Sequence, residues 1–422
     1  MKRFFKAIIC LLSFLLVSSL ALTAGTVSAS TSINNINADE VNLDVKAAIT
    51  IDKKTGEVLY AKNAAQALPI ASMSKLITIY LTLQAIKDGK LSWNQKLTPT
   101  KNIVKLSNNS DYSNVPLQEK HQYTVKQLYE ASLIESANGA VMMLAQAVYG
   151  SQENAVNQMR TLLKKWNITD AQIYTTCGLK NGEVGSDAYP GAGKNVENEI
   201  PAVGVAKIVD HLLTDYPEIL NTSKLAELDF KDGSTVTKMQ NWNWMLKGLS
   251  QYDSAYPLDG LKTGTSEKAG ACFAGTLKYK GRRLITIVMG AKHADGTDPS
   301  RFTQTKKMLD YVYNNYQLYI YKKGTQLTNL KGIKVNDGNQ KIANLVVKKD
   351  TGIWQKTSST GKLAFSKSAI EAPIKKGQLA GYYLFTNNPS IYSSKGTKLA
   401  ATVRENIDQA NIFVRIWHFF FK

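Results

Sequence analysis

Three cysteines and four histidines in 422 residues are a small stock of reactive side chains. Cys10 lies in an apolar N-terminal leader, which leaves Cys177 and Cys272, too few for a disulfide scaffold and too isolated for metal-ligand spacing. Both read as free, buried thiols, and neither a metal nor another cofactor is implied. None of His121, His211, His293 and His418 falls in a recognisable triad setting with a serine and an acid. Lys and Arg exceed Asp and Glu by 52 to 33, a formal charge of +19, of which three charges sit in the leader. The surplus is spread along the chain, and no basic cluster interleaved with aromatics marks a nucleic-acid reader. Dispersed positive charge suits an anionic surface of polymers and lipid headgroups instead. There are no internal repeats.

The leader, residues 1–29, has Lys2, Arg3 and Lys6, then an apolar stretch, then Val27-Ser28-Ala29. This layout is that of a secretory signal with cleavage after Ala29, in preference to a retained anchor, and it puts the site of action outside the cytoplasm. Beyond it, residues 47–60 alternate apolar and polar around a K-K-T-G turn, a β-hairpin pattern, and Ser72 to about Ile86 is apolar around its circumference, the mark of a buried helix. Helical periodicity returns over 124–148 and 154–166. Strand patterns resume after Asp259-Gly260, with a turn at Lys280-Gly281, and a helix over about 298–316 closes the unit.

That order predicts an α+β catalytic domain over residues 30–320, an antiparallel sheet flanked by helices plus a mostly helical subdomain. Short β-type runs over 321–402 predict a small all-β domain. In the last segment, 403–422, Ile407, Ala410, Val414, Trp417 and Phe421 share one helical face. Its dense apolar part, residues 412–421, would be about 15 Å long as a helix, half the ~30 Å a bilayer requires. An interfacial membrane anchor is the preferred reading, with a helix docked on its own domain as the alternative.

Residues 69–77 read P-I-A-S-M-S-K-L-I. Ser72 and Lys75 are three apart at the head of the apolar helix, so they share a face, and a lysine with a lowered pKa can activate a serine where no histidine is available. Ser74 points away from Lys75 and reads as a bystander. S-x-x-K alone is a weak signal. Ser136-Ala137-Asn138, at a break between two helical runs, and Lys262-Thr263-Gly264, opening a strand where Gly264 would let a substrate backbone approach, strengthen it.

With those motifs the chain resembles the low-molecular-mass penicillin-binding proteins, serine-type D-alanyl-D-alanine carboxypeptidases with a β-lactamase/transpeptidase-like fold. The likeness extends over D-K-K-T-G-E-V-L-Y-A-K-N (52–63), L-I-E-S-A-N-G-A (133–140), D-G-L-K-T-G-T (259–265), R-L-I-T-I-V-M-G (283–290) and E-A-P-I-K-K-G-Q (371–378). It implies that Ser72 attacks the penultimate D-Ala carbonyl of a peptidoglycan stem peptide, with Lys75 as general base. Ser136 would relay protons with Lys262, and Asn138 would hold a substrate amide. Backbone N–H groups of Ser72 and Thr265 would form the oxyanion hole, and Thr263 and Arg301 would bind the terminal carboxylate. β-Lactams would acylate the same serine, and the enzyme would sit on the outer face of the cytoplasmic membrane.

Two positions depart from the family pattern: Gly139, where Asp is common, and Thr265, where His is common. A β-lactamase needs a deacylating Glu in an E-x-x-L-N element, and Glu218-Ile219-Leu220-Asn221 is one residue short of it. An endopeptidase or transpeptidase on the same site, and a non-catalytic sensor of wall peptides or β-lactams, are the other readings.

Overall fold

The computed structural model describes residues 33–358, 362–413 and 415–416. The leader expected over 1–29 lies outside the described residues, as do Val414 and the aromatic end of the terminal segment, 417–422. The architecture is α+β. An antiparallel sheet in the order β2-β1-β5-β4-β3 is built from β1 (Ala47–Asp52), β2 (Val58–Lys62), β3 (Leu258–Ser266), β4 (Gly270–Tyr279) and β5 (Arg282–Ala291). β1 pairs with β5 in a register that sets Ile49 opposite Ile287, so the hairpin near the start of the chain is joined to strands more than two hundred residues later.

Side chains alternate between the two faces of the sheet. Ile49, Ile51, Ala274, Ile285 and Ile287 belong to the core shared with the helical layer, whereas Ala48, Phe273, Leu277, Leu284 and Val288 pack with Phe302, Met308, Leu309 and Val312 of the closing helix. Although residues 47–60 alternate apolar and polar, all six β1 residues are buried. Its polar members are satisfied internally: Thr50 Oγ1 lies 3.3 Å from Thr286 Oγ1, and Asp52 accepts from Arg282.

In the helical layer, α1 (Lys75–Lys87) has ten of its thirteen residues buried, which accounts for the absence of a polar stripe in its sequence. α2 (Val125–Leu133) starts on a capping box from Thr124 and Gln127 and is followed by α3 (Asn138–Tyr149), packed on α1 and α2. The closing helix is α4 (Ser300–Asn315).

Strands between residues 332 and 403 form a six-stranded sheet around its own core, which includes Leu345, Tyr383, Phe385 and Leu399. Trp354 lies in a strand (Thr351–Lys356) paired with Tyr316–Tyr321 and is buried in the core under α4 rather than in that second core. Its indole Nε1 donates to Asp52 Oδ2 at 2.6 Å, and Asp52 Oδ1 accepts from Arg282 at 2.7 Å. Glu57, at the end of the K-K-T-G turn, accepts from the Trp354 N–H and from Asn388. The β-rich region is thus joined to the sheet through buried polar groups.

Candidate active site

A short 3₁₀ turn, Ala71–Ser74, precedes α1, so Ser72 sits in the turn and Lys75 is the first residue of the α-helix proper. Neither Ser72 nor Ser74 caps the helix through its side chain. Ala71 is held at φ 44, a left-handed conformation that costs a non-glycine residue on the order of 1 kcal/mol or more. The surroundings hold it there. Ser74 Oγ donates to the Ala71 carbonyl at 2.7 Å and accepts from Asn198 Nδ2 at 2.9 Å, so Ser74 braces the turn. Gly178 (φ +87) lies so close that an added Cβ would fall 2.0 Å from the Ala71 oxygen.

Lys75 is fully buried, and its Nζ has three partners: Ser72 Oγ at 2.6 Å, Asn138 Oδ1 at 2.7 Å and the Cys177 carbonyl at 2.8 Å. Loss of hydration penalises the ammonium and pushes its pKa down to about 8. Two partners, an amide oxygen and a carbonyl, can only accept. A neutral amine therefore spends both N–H bonds on them and turns its lone pair to Ser72 Oγ–H. The hydroxyl has lysine as its partner, while His121 pairs with Asp232 and His211 stacks on Trp166.

The turn between α2 and α3 holds Ser136 at φ 63, 3 % exposed, and starts α3 at Asn138. Asn138 Nδ2 donates to the Ser113 carbonyl at 3.0 Å, which fixes Oδ1 toward Lys75. The Asn138 amide thus joins Lys75 to the Ser113 carbonyl, and its second Nδ2 hydrogen is not used in either contact. Gly139, the first departure from the family pattern, faces away from the cleft: a Cβ there would meet Ser107 Cβ at 3.0 Å and Ile103 Cγ2 at 3.5 Å.

Lys262 lies on β3 opposite Ala274, almost fully buried, with its Nζ 3.2 Å from the Thr263 carbonyl. Burial first, then the charges of Lys75 and Arg301, hold its pKa well below the ordinary lysine value, with Glu135 opposing. Gly264 lines the cleft, and its bare Cα is also required by the protein's own backbone. An added Cβ would meet the Ile70 oxygen at 2.5 Å and the Ser72 nitrogen at 3.2 Å. Arg301, in the first turn of α4, is buried rather than a surface residue. It donates to the carbonyls of Gly264 (3.1 Å) and Cys272 (3.2 Å) and to Thr265 Oγ1 (2.7 Å), so Thr265, the second departure, is Arg301's anchor.

These groups meet at a cleft of about 180 Å³ lined by Ser72, Ser136, Thr263, Gly264, Thr265 and Arg301, with Ser113, Trp242, Trp244, His293, Gly296 and Phe302 completing its walls. Lys75 and Asn138 lie behind Ser72. The sequence reading missed the Cys177 and Ser113 carbonyls, which carry no side-chain signal, and the Trp242–Trp244 wall, whose one signal is the tight N-W-N-W-M-L run. Glu218 caps a short helix, Ile219–Ser223, that packs through Leu220 and Ser223 against Gly260 at the start of β3, and it is not among the cleft residues.

Fold and site together define a serine peptidase of the penicillin-binding class. The chain belongs to the D-alanyl-D-alanine carboxypeptidase family, peptidase S11, which matches residues 34–293. It is 28% identical over 379 residues to the D-alanyl-D-alanine carboxypeptidase DacF of Bacillus subtilis, covering 88% of each chain. Its fold is similar to that of PBP3 from Streptococcus pneumoniae, a peptidoglycan synthesis regulatory factor (TM-score 0.72, 33% identity, 87% of this chain and 100% of that one). It is also similar to penicillin-binding protein D2 from Listeria monocytogenes in its cefotaxime-bound form (TM-score 0.52, 28% identity, 65% of this chain and 98% of that one).

Proposed function

We propose that the protein removes the terminal D-Ala from peptidoglycan stem peptides through an acyl-enzyme on Ser72. The observation that carries this reading is the Lys75 amine, 2.6 Å from Ser72 Oγ with two acceptor-only partners on its other side. As the neutral base it takes the hydroxyl proton while Oγ bonds to the carbonyl carbon of the penultimate D-Ala. Backbone N–H groups of Ser72 and Thr265 receive the oxyanion. The C–N bond then breaks, and the leaving D-Ala amine takes a proton passed through Ser136, with Lys262 behind it. Water hydrolyses the ester and restores Ser72. Thr263 and Arg301 bind the terminal carboxylate; three of Arg301's five N–H donors are used within the protein.

β-Lactams enter the same cleft and acylate Ser72. With Glu218 not among the cleft residues, the β-lactam ester turns over slowly, which favours a peptidase over a β-lactamase. The 1–29 leader exports the chain, and its C-terminal segment holds it on the outer face of the cytoplasmic membrane. Support for the anchor is confined to Ile412 and Phe413, 62% and 80% exposed. Val403 ends a strand, and Ile407, expected on the same helical face, is instead buried in the β-rich core and bridges Ile374, so the segment 403–410 is not part of an anchor helix. Among the described residues no helix is long and apolar enough to cross a membrane.

The deciding assay incubates the chain without its leader, and its Ser72→Ala variant, with a pentapeptide ending in D-Ala-D-Ala and measures free D-Ala. Release by the unmutated protein alone is expected. Equal release by the variant, or none by either, removes this reading.

A further inference from the structure

Glu197 is 2% exposed, and no step above uses it. Its Oε2 accepts from Ser266 Oγ at 2.6 Å, and Ser266 Oγ in turn accepts from the Ala269 N–H at 3.0 Å, so the carboxylate secures the tight turn between β3 and β4. Its Oε1 has no hydrogen-bond partner among the described residues, which leaves Ser266 as the group that holds this side chain. Ser266 is the last residue of β3 and directly follows Thr265.

The next two residues reach the other half of the site. The Asn198 carbonyl accepts from the Ile70 N–H at 3.0 Å, and Asn198 Nδ2 donates to Ser74 Oγ at 2.9 Å, one bond on each side of Ser72. Glu199 opens a short strand, Glu199–Pro201, that pairs antiparallel with Ala67–Pro69 on the way into the Ser72 turn. Glu199 also meets Lys268 Nζ at 2.5 Å, but that lysine is exposed, and an ion pair in water stabilises little. The buried link from this segment to the end of β3 is therefore the bond between Glu197 and Ser266. Three consecutive residues thus grip both the turn before α1 and the end of β3. An oxyanion hole with one N–H from each of those elements needs their spacing held, because its donors act on charge that develops only in the transition state.

We propose that Glu197 is a positioning residue that holds the two N–H groups of the oxyanion hole in register, fixing the end of β3 through Ser266 while Asn198 fixes the turn that carries Ser72. This rests on the carboxypeptidase reading above and adds to it the device that spaces Ser72 and Thr265. Glu197→Ala and Ser266→Ala each break the bond from one side, and the double variant removes both partners. Glu197→Gln keeps an acceptor for the Ser266 hydroxyl.

The test measures acylation by a fluorescent penicillin against its concentration, which separates the maximal rate from the half-saturating concentration, alongside D-Ala release and circular dichroism. Losing one oxyanion donor outright costs about 10²–10³ in rate, so a displaced one should cost about tenfold or more. Glu197→Ala and Ser266→Ala are each expected to show that loss in maximal rate with a half-saturating concentration within about twofold of wild type. A residue that only supported the fold would lower the melting temperature without this split. In the double variant the rate should fall no further than in the slower single one, since the same bond is lost in all three. Glu197→Gln should stay within about threefold of wild type. Should Glu197→Ala not fold, Ser266→Ala and Glu197→Gln decide. With an active wild type, an unchanged maximal rate in Ser266→Ala, losses that multiply in the double variant, or a Glu197→Gln rate down tenfold or more overturns this inference and leaves the peptidase reading standing. A wild type that neither releases D-Ala nor is acylated overturns both.

Discussion

At the scale of single residues, the proposed mechanism depends on how Lys75 is kept from being an ordinary surface ammonium. The cost of desolvating the charge brings its pKa down to about 8, and its two acceptor partners occupy the N–H bonds of the neutral amine so that its lone pair faces Ser72. Acylation of Ser72 is therefore expected to rise as pH increases through about 8, since the free base must be present, and to level off above it. Stopped-flow acylation by a penicillin between pH 6 and 10 checks this; a rate that falls across that range contradicts a Lys75 base. Lys75→Ala should lower the acylation rate by about 10²–10⁴, the usual worth of a positioned base. Lys75→Arg should not restore it, because a guanidinium stays protonated.

At the scale of elements, Ser72, the proposed nucleophile, is positioned by backbone crowding around one turn. The 3₁₀ turn at Ala71–Ser74 is pressed between Gly178 on one side and Gly264 of β3 on the other, and at both contacts a methyl group would collide with main-chain atoms. Main chain in a packed interior has little room to yield. Gly264→Ala should leave a folded protein, with the large sheet core intact, yet reduce acylation by about a hundredfold or more by displacing the Ser72 backbone. Circular dichroism with penicillin labelling reads both, and near-wild-type labelling would show that the turn tolerates displacement. Gly139 is an analogous case in the helical layer. It faces Ser107, Ile103 and Leu117 rather than the cleft. An Asp there is expected to lower the melting temperature by crowding α3 against the Lys101–Ser107 helix; a higher melting temperature for Gly139→Asp would contradict that packing account.

At the scale of the whole molecule, the β-rich region is joined to the catalytic sheet by groups that water does not reach. Glu57 is 1% exposed, and burial raises its carboxyl pKa to about 8 from 4.5. The folded protein thus holds a proton between those values that the unfolded chain has released. Its contribution to stability is complete below about pH 4.5 and is lost as pH rises through about 8. Glu57→Gln cannot ionise, so its stability relative to wild type should be more favourable at pH 9 than at pH 5. Urea midpoints at the two pH values measure this, with the pH-independent loss at the Asn388 contact cancelling in the difference. An equal difference at both would mean that Glu57 ionises in the folded state much as it does in the unfolded one. At the other end of the chain, removal of residues 411–422, beyond the part that packs on the β-rich domain, is expected to abolish co-sedimentation with anionic phospholipid vesicles while D-Ala release in solution persists. Retained sedimentation would place the contact elsewhere on the basic surface.

Sequence alone carried the α+β order, because the burial of α1 and the alternation of the strands are local patterns of side chains. It also singled out Ser72, Lys75, Ser136, Asn138 and Lys262, because S-x-x-K, weak alone, is joined in order by S-A-N and K-T-G, and the fold does bring Ser72 and Asn138 to the Lys75 amine. Arg301 was legible only through resemblance, and its bonds to Gly264, Cys272 and Thr265 could not be read from a helix end. The Cys177 and Ser113 carbonyls had no signal at all, since every residue has a carbonyl and only the fold decides which one meets Lys75 or Asn138. Nor could spacing show that Gly264, read as room for a substrate, is also where the backbone of Ile70 and Ser72 packs. Residue identity is written in the chain; which backbone atoms crowd together, and therefore which charges lose their water, is settled when segments hundreds of residues apart pack against each other.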